Sequence, residues 1–274
     1  MKRIKPIAAA LAAIMLCGCS EKTVSEPETV PALAQTELPQ TEAFSVVTTV
    51  TAAVNRLTAE KIAAMPAESR ILPEEIAGLD IWSLFTEEAI SDAVFARING
   101  VSYQENPYIS RDDLRYLRVL HYDPAGDICT GELICNQAIA ADLLAIFEKL
   151  YESQYPIGSM RLIDDFDGDD NASMAANNSS CFNYRVVAGT TTLSNHAKGM
   201  AIDINPQFNP YVTVNADGTE HIEPENGADY ANREVFFPMK LDGNDLCCRL
   251  FADHGFEWGG AWDTPKDYQH FEKT

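Results

Sequence analysis

A histidine and an aspartate seven residues apart, His196 and Asp203, with Gly199 between them, constrain this chain more than any other feature. On a continuous helix that spacing covers about 10 Å along the axis. Two donors on one metal ion, each about 2 Å from it, lie within about 3.5 Å of each other. If the two side chains share a metal, the segment is no uninterrupted helix. A turn at Gly199, which adopts backbone conformations that other residues avoid, followed by a strand, brings them together. In such a strand Met200, Ile202 and Ile204 face the core, and Ala201 and Asp203 face the site. Ala201 is small and would leave room beside the carboxylate for metal and substrate. A third ligand, His270, arrives from the C-terminal segment, where Gly259-Gly260 permits a sharp bend before the strand that carries it. Two imidazoles and one carboxylate are the donor set of an open, catalytic zinc. Asp267, three residues before His270, can share the site without coordinating. A carboxylate there takes a proton from the attacking water and returns it to the leaving amine. Glu272, two residues beyond His270, shares its face on a strand and is the next candidate for that base.

Ser194-x-His196-x-x-Gly199-x-Ala201-x-Asp203, followed far downstream by Asp267-x-x-His270, resembles the zinc D-Ala-D-Ala peptidase family, which cleaves peptidoglycan stem peptides. The likeness covers about residues 86–274. The Trp258-Gly259-Gly260 run, and Asp267 in place of a glutamate, are similar to the endopeptidase-type branch. Met174-Ala175-Ala176-Asn177-Asn178 and Phe182-Asn183-Tyr184-Arg185 are similar to the D-alanyl-D-alanine carboxypeptidase-like group. The resemblance implies one zinc ion per chain on His196, Asp203 and His270, with Asp267 as general base. It implies that Arg185 binds the substrate carbonyl or carboxylate and that Ser194 either hydrogen-bonds substrate or opens a turn. Expected partners are peptidoglycan stem peptides. The same zinc residues resemble those of hedgehog signalling domains, so a non-catalytic cell-surface binding module is the alternative. Asp267 favours the enzyme, because a purely structural zinc has no use for a base beside it.

The N-terminus carries a separate message. Lys2, Arg3 and Lys5 precede an apolar run, Ile7 to Leu16, too short to span a bilayer. It ends in Leu16-Cys17-Gly18-Cys19, which resembles a bacterial lipobox, with cleavage before Cys19 and lipid on its sulfur. Residues 1–18 are thus expected to be a signal peptide, and the mature protein extracytoplasmic and lipid-anchored to the bacterial cell membrane. Their removal takes three cations and no anion, moving the net charge from −21 to −24. Such a surface repels nucleic acid and anionic headgroups, so lipid and not charge must hold it at the membrane. Residues 19–56 are rich in Thr, Glu, Pro, Ala and Gln without a periodic apolar face and read as a disordered tether. Its mean reach is on the order of 30–35 Å.

Residues 57–85 read as a short helical linker region that either packs on the domain or belongs to the tether, and the zinc domain as 86–274. Within it, Ile90, Val94, Phe95 and Ile98 recur at helical spacing. Ser110 and Asp113 form a capping box. Val119–Tyr122, Glu132–Cys135, Arg161–Ile163 and Met200–Ile204 read as strands. Asn136 caps the clearest helix, whose face is Ile139, Leu143, Ile146, Phe147 and Leu150. Asp242 or Asn244 caps another that runs to about His254. There is no βαβ rhythm and no internal repeat. The expected fold is α+β: a single domain with a small antiparallel sheet flanked by helices, as in the hedgehog/D-Ala-D-Ala peptidase-like zinc fold, and a monomer. Beyond Cys19 the cysteines are Cys129, Cys135, Cys181, Cys247 and Cys248. Cys129 and Cys135 could pair across two neighbouring strands. Asp164 to Asp170 miss the EF-hand spacing and read as a solvated acidic loop.

Overall fold

Asn136 both ends a strand and caps a helix, and the architecture is built around that junction. In the computed structural model, which describes residues 56–187 and 190–274, strands β3 (Leu114–Tyr122) and β4 (Ile128–Asn136) form a nine-residue antiparallel hairpin. The short strands β1 (Arg70–Ile71) and β2 (Thr86–Ala89) complete an antiparallel sheet of order β1-β4-β3-β2. The Asn136 side chain accepts the Ala138 N–H and opens α3 (Gln137–Glu152). That helix lays Ile139, Leu143, Ile146, Phe147 and Leu150 on one face of the sheet, all buried. Each such side chain contributes about 1.5–3 kcal/mol on leaving water. The other face is covered by α2 (Asp92–Ile98), with Ile98, Ile109, Leu162 and Phe182 packed on Leu114 and Ile134.

Burial on both faces explains why these strands run longer than the sequence patterning indicates. Arg118 and Glu132 interrupt the apolar runs, yet both are buried. Arg97 forks onto the Glu132 carboxylate at 2.6 and 2.9 Å, and Tyr116 Oη donates to the same group. A buried carboxylate is tolerated when its lone pairs are filled in this way. The segment expected as a linker also joins the core. Ile62 on α1 (Ala59–Ala63), Ile71 and Leu84 are buried with the residues of α3, so the compact unit begins upstream of the expected boundary at Thr86. The proposed signal peptide, Cys19 and nearly all of the tether lie outside the described residues.

Three further expectations are corrected. Arg161–Ile163 is not a strand: it leads into a 3-10 turn, Ile163–Phe166, and Leu162 is buried without a strand partner. Helix α5 (Leu246–Asp253) is capped by Asp245, whose carboxylate accepts the Cys247 N–H at 2.8 Å, while Asp242 closes the turn before it. Cys129 and Cys135 both lie on β4, six residues and so about 20 Å apart along a strand, and cannot pair; all five described cysteines are free and buried. The acidic loop is less solvated than expected. Asp164 accepts two hydrogen bonds from Ser102, Asp165 pairs with Arg97, and Asp169 caps α4 (Asp170–Ala175).

Two small antiparallel sheets are built from strands that follow α4 in the chain. One has the order β5-β10-β8, formed by Ala201–Asp203, His270–Glu272 and Glu257–Trp258. The other has the order β7-β6-β9, formed by Glu220–Glu223, Tyr211–Val214 and Lys266–Asp267. Phe271 and Ile202 turn from the first sheet into the core, where Phe271 stacks on Phe251 of α5 with centroids 4.2 Å apart. The mixture of helices and small antiparallel sheets is the expected α+β class. Among the described residues no helix is long and apolar enough to cross a membrane.

Candidate metal centre

The register of β5 against β10 places the site. His270 lies directly opposite Asp203, and Glu272 opposite Ala201, while Phe271 and Ile202 occupy the other face. Opposed residues on one face of an antiparallel pair have Cβ atoms about 4.5–5.5 Å apart, so Asp203 and His270 meet because the strands pair. His196 comes from the 3-10 turn His196–Lys198 that immediately precedes Gly199. Gly199 has φ +67°, and a Cβ there would lie 2.6 Å from the Asn136 backbone nitrogen. That nitrogen donates to the Gly199 carbonyl at 2.8 Å, docking the turn on the β4–α3 junction. Gly199→Ala should therefore cost about 2–5 kcal/mol, combining left-handed strain with a clash against backbone. A shift of the denaturation midpoint at unchanged slope measures it; an unchanged midpoint would refute the docking argument.

His196 Nε2, His270 Nδ1 and Asp203 Oδ1 converge. Their separations are 3.1 Å between the two rings, 3.1 Å from His270 to Asp203 and 3.4 Å from His196 to Asp203. A tetrahedral ion with bonds of about 2 Å has donor–donor edges of about 3.3 Å. The outer nitrogens are also engaged. His196 Nδ1 lies 2.6 Å from the Cys181 carbonyl oxygen, and His270 Nε2 lies 3.1 Å from Glu272 Oε2. Both partners are acceptors, so each outer nitrogen carries the proton and each inner nitrogen presents a lone pair. Three lone pairs thus face one another at contact distance in a buried pocket. Only a cation relieves that arrangement, and the three residues form a possible metal site.

Without a metal, a proton is the available cation. Burial opposes charge on His270, but hydrogen bonds to Asp203 and Glu272, with the nearby carboxylate charges, raise its pKa to about 10. Burial likewise opposes ionisation of Asp203, and the two imidazoles outweigh it and hold that carboxyl below the usual range. At neutral pH the metal-free site then holds a proton on His270, which a metal must displace. Zinc binding should release about one proton per ion and tighten as pH rises toward 10. Calorimetry in buffers of different ionisation enthalpy measures this directly; zero proton release would show the sites are not exchanging one cation for another.

Asp267 stands beside this cluster. Its Oδ1 is covered and has no hydrogen-bond partner among the described residues. Burial pushes its pKa to about 6; the Asp203 charge adds to the shift, and the rings of His270 and His196 oppose it. A Cβ on Gly259 would meet the Asp267 carbonyl oxygen at 2.7 Å and its Cβ at 2.9 Å, so only glycine lets the Gly259–Ala261 turn lie against this segment. Trp262 borders the site, its ring 5.4 Å from that of His270.

The remaining sequence candidates are placed differently. Ser194 is buried and its Oγ accepts the His196 N–H at 3.2 Å, opening the turn. Arg185 pairs through Nε with Asp170 on α4, and its carbonyl accepts the Ser194 N–H, so it flanks the His196 turn. Ala201 is fully buried opposite Glu272, so its small side chain does not open space to substrate as expected. Two contributors escaped the sequence reading. The Cys181 carbonyl is backbone and has no sequence signature, and Asn195 was visible only as a neighbour of His196.

Residues 188–273 match the family of D-alanyl-D-alanine carboxypeptidases. The match takes in His196, Asp203, Asp267 and His270, and Arg185 falls just ahead of it. It supports a peptidase, in keeping with the carboxypeptidase-like resemblance of the sequence. No curated protein and no solved structure matches the chain.

Proposed function

We propose that this protein is a zinc peptidase acting on peptidoglycan stem peptides, with His196, Asp203 and His270 as metal ligands and Asp267 as general base. The observation that carries the reading is the convergence of three lone pairs beside an unpartnered, buried carboxylate oxygen, within a segment similar to D-alanyl-D-alanine carboxypeptidases. Zinc bound there would supply a Lewis acid that polarises the scissile carbonyl and acidifies water. Asp267 takes the water's proton and delivers it to the leaving amine, a role suited to a carboxylate whose pKa burial lifts to about 6. Arg185, at the flank of the His196 turn, is the group for a substrate carboxylate or the carbonyl oxygen. A binding module would have no need to keep a buried Asp267 oxygen without a partner among the described residues.

The test is mass spectrometry of muropeptides digested with the full chain and zinc. Loss of a terminal D-Ala, release of D-Ala-D-Ala and cleavage at L-Ala-D-Glu each leave a distinct mass. Intact muropeptides after incubation with zinc-loaded protein would refute the reading. A peptidoglycan substrate would call for an enzyme outside the cytoplasm, and the lipobox-like run before Cys19 supports that reading. Cys19→Ala should release the protein from the membrane fraction while Cys17→Ala does not, and the mass of the mature N-terminus reports lipid attachment independently.

A further inference from the structure

Glu272 holds more of the site together than its position outside the ligand triangle suggests. Its Oε2 accepts the His270 Nε2–H at 3.1 Å and the Asn195 Nδ2–H at 2.6 Å. Asn195 is the residue before His196, and its Oδ1 in turn accepts from Lys198 Nζ at 3.0 Å. One carboxylate oxygen therefore joins the segment carrying the first histidine to the ring of the second. The strand register explains how it fits. Glu272 lies opposite the fully buried Ala201, and any larger side chain there would occupy the space the carboxylate crosses.

We propose that Glu272, braced by Asn195, is a positioning residue that fixes the His270 tautomer and the spacing of the two histidines, and thereby sets the affinity of the site for its metal. This rests on the zinc reading above. The chemistry follows from the two hydrogen bonds. With its proton held on Nε2 by a carboxylate, the His270 ring must present the Nδ1 lone pair inward, and the anionic partner makes that lone pair a stronger donor. Asn195 stops the carboxylate from swinging toward solvent, an option open to a side chain that is 19% exposed. The assignment differs from a second base: Glu272 acts through His270 and does not touch the reacting atoms.

Zinc affinity of the full chain, measured by competition with a chelator of known strength, tests the proposal without reference to turnover. Glu272→Ala should lose about 10–100-fold in affinity, as removal of such a partner does at other histidine sites. Glu272→Gln, which keeps an acceptor and loses the charge, should fall between that variant and the parent. Asn195→Ala should weaken zinc by less than Glu272→Ala, and the double variant should be no weaker than Glu272→Ala alone, because Asn195 works through Glu272. Asn195 is half-buried and its side-chain hydrogen bonds go to Glu272 and Lys198, not to a ligand ring, so this arm holds even if Glu272→Ala fails to fold. Nitrogen-15 spectra of the imidazoles supply a readout that a merely structural role would not move: the zinc-loaded parent should show His270 protonated at Nε2, and Glu272→Ala a mixture or exchange. Unchanged zinc affinity in both Glu272→Ala and Asn195→Ala overturns the proposal. So does a Glu272→Ala protein that holds zinc like the parent but has lost turnover, which would make Glu272 a reacting group. If the parent itself binds no stoichiometric zinc, the metal-site reading falls and the brace falls with it.

Discussion

Asp267→Asn is expected to keep its zinc and lose peptidase turnover by about 10²–10⁴-fold, the usual contribution of a general acid–base group. The amide is nearly isosteric with the carboxylate, so β9 and the Gly259 turn against it should survive. What disappears is the ability to take the water's proton. Since that role belongs to the transition state, the loss should fall on kcat and leave KM close to the parent. The parent's own acid limb offers a second check. Burial lifts the Asp267 pKa to about 6, so the base is ionised above that value and is lost as pH falls through it. A dication bound nearby favours the ionised form and moves the limb lower. The limb should vanish from the residual activity of Asp267→Asn. Near-parental turnover in that variant would assign the base elsewhere. Glu272, the sequence's next candidate, is a poor substitute, because its Oε2 already holds His270 and Asn195.

Replacing a ligand should have the larger effect on the metal. A four-coordinate zinc site binds with about 10–16 kcal/mol, or roughly 2.5–4 kcal/mol per ligand, so His196→Ala or His270→Ala should weaken zinc by about 10²–10³-fold. This exceeds the 10–100-fold expected for Glu272→Ala, and the order of the two losses is itself a test. At zinc concentrations of about 100 times the parental dissociation constant, bound metal stabilises the fold by about 2.7 kcal/mol. The ligand variants should forfeit most of that, seen as a denaturation midpoint that no longer responds to added zinc. Stoichiometric zinc retained through dialysis by His270→Ala would show that the three converging lone pairs are not the metal's ligands.

Arg185 separates two modes of substrate contact. If it meets charge that develops during reaction, Arg185→Ala lowers kcat; if it holds a terminal carboxylate, the same change mainly raises KM. Its pairing with Asp170 gives the side chain a fixed origin on α4 in either case.

Local chemistry was legible where a residue type admits few uses. Asn136 before a 3.6-residue apolar stripe could only cap α3, and Gly199 between two polar donors could only turn the chain. The convergence of His196, Asp203 and His270 was legible for the same reason: the spacing of His196 and Asp203, if they are to meet, is incompatible with a helix and compatible with a turn into a strand. Errors gathered where long-range partners override local signals. Residues 57–85 carry a Pro-broken, weakly periodic pattern, yet Ile62, Ile71 and Leu84 are buried because the sheet behind α3 would otherwise expose its edge. Arg118 and Glu132 disguised a doubly buried hairpin, since Glu132 is held by Arg97 from elsewhere in the chain and by Tyr116, while Arg118 pairs with Glu132 and donates to the Met65 carbonyl. The cap of α5 fell on Asp245, not Asp242 or Asn244, because Asp242, Asn244 and Asp245 stand close together as equivalent local caps and packing selects among them.

The sequence by itself determined which atoms are available at the site: two imidazoles, a ligand carboxylate, a neighbouring acid and the glycines that let their segments bend. Only the tertiary structure decided which nitrogen of each ring faces inward. That choice depends on a backbone carbonyl at Cys181 and a carboxylate at Glu272, one brought by a loop and the other by strand register. Hydrogen bonds of this kind join residues far apart in the chain or use atoms that every residue shares, so no local pattern of side chains records them.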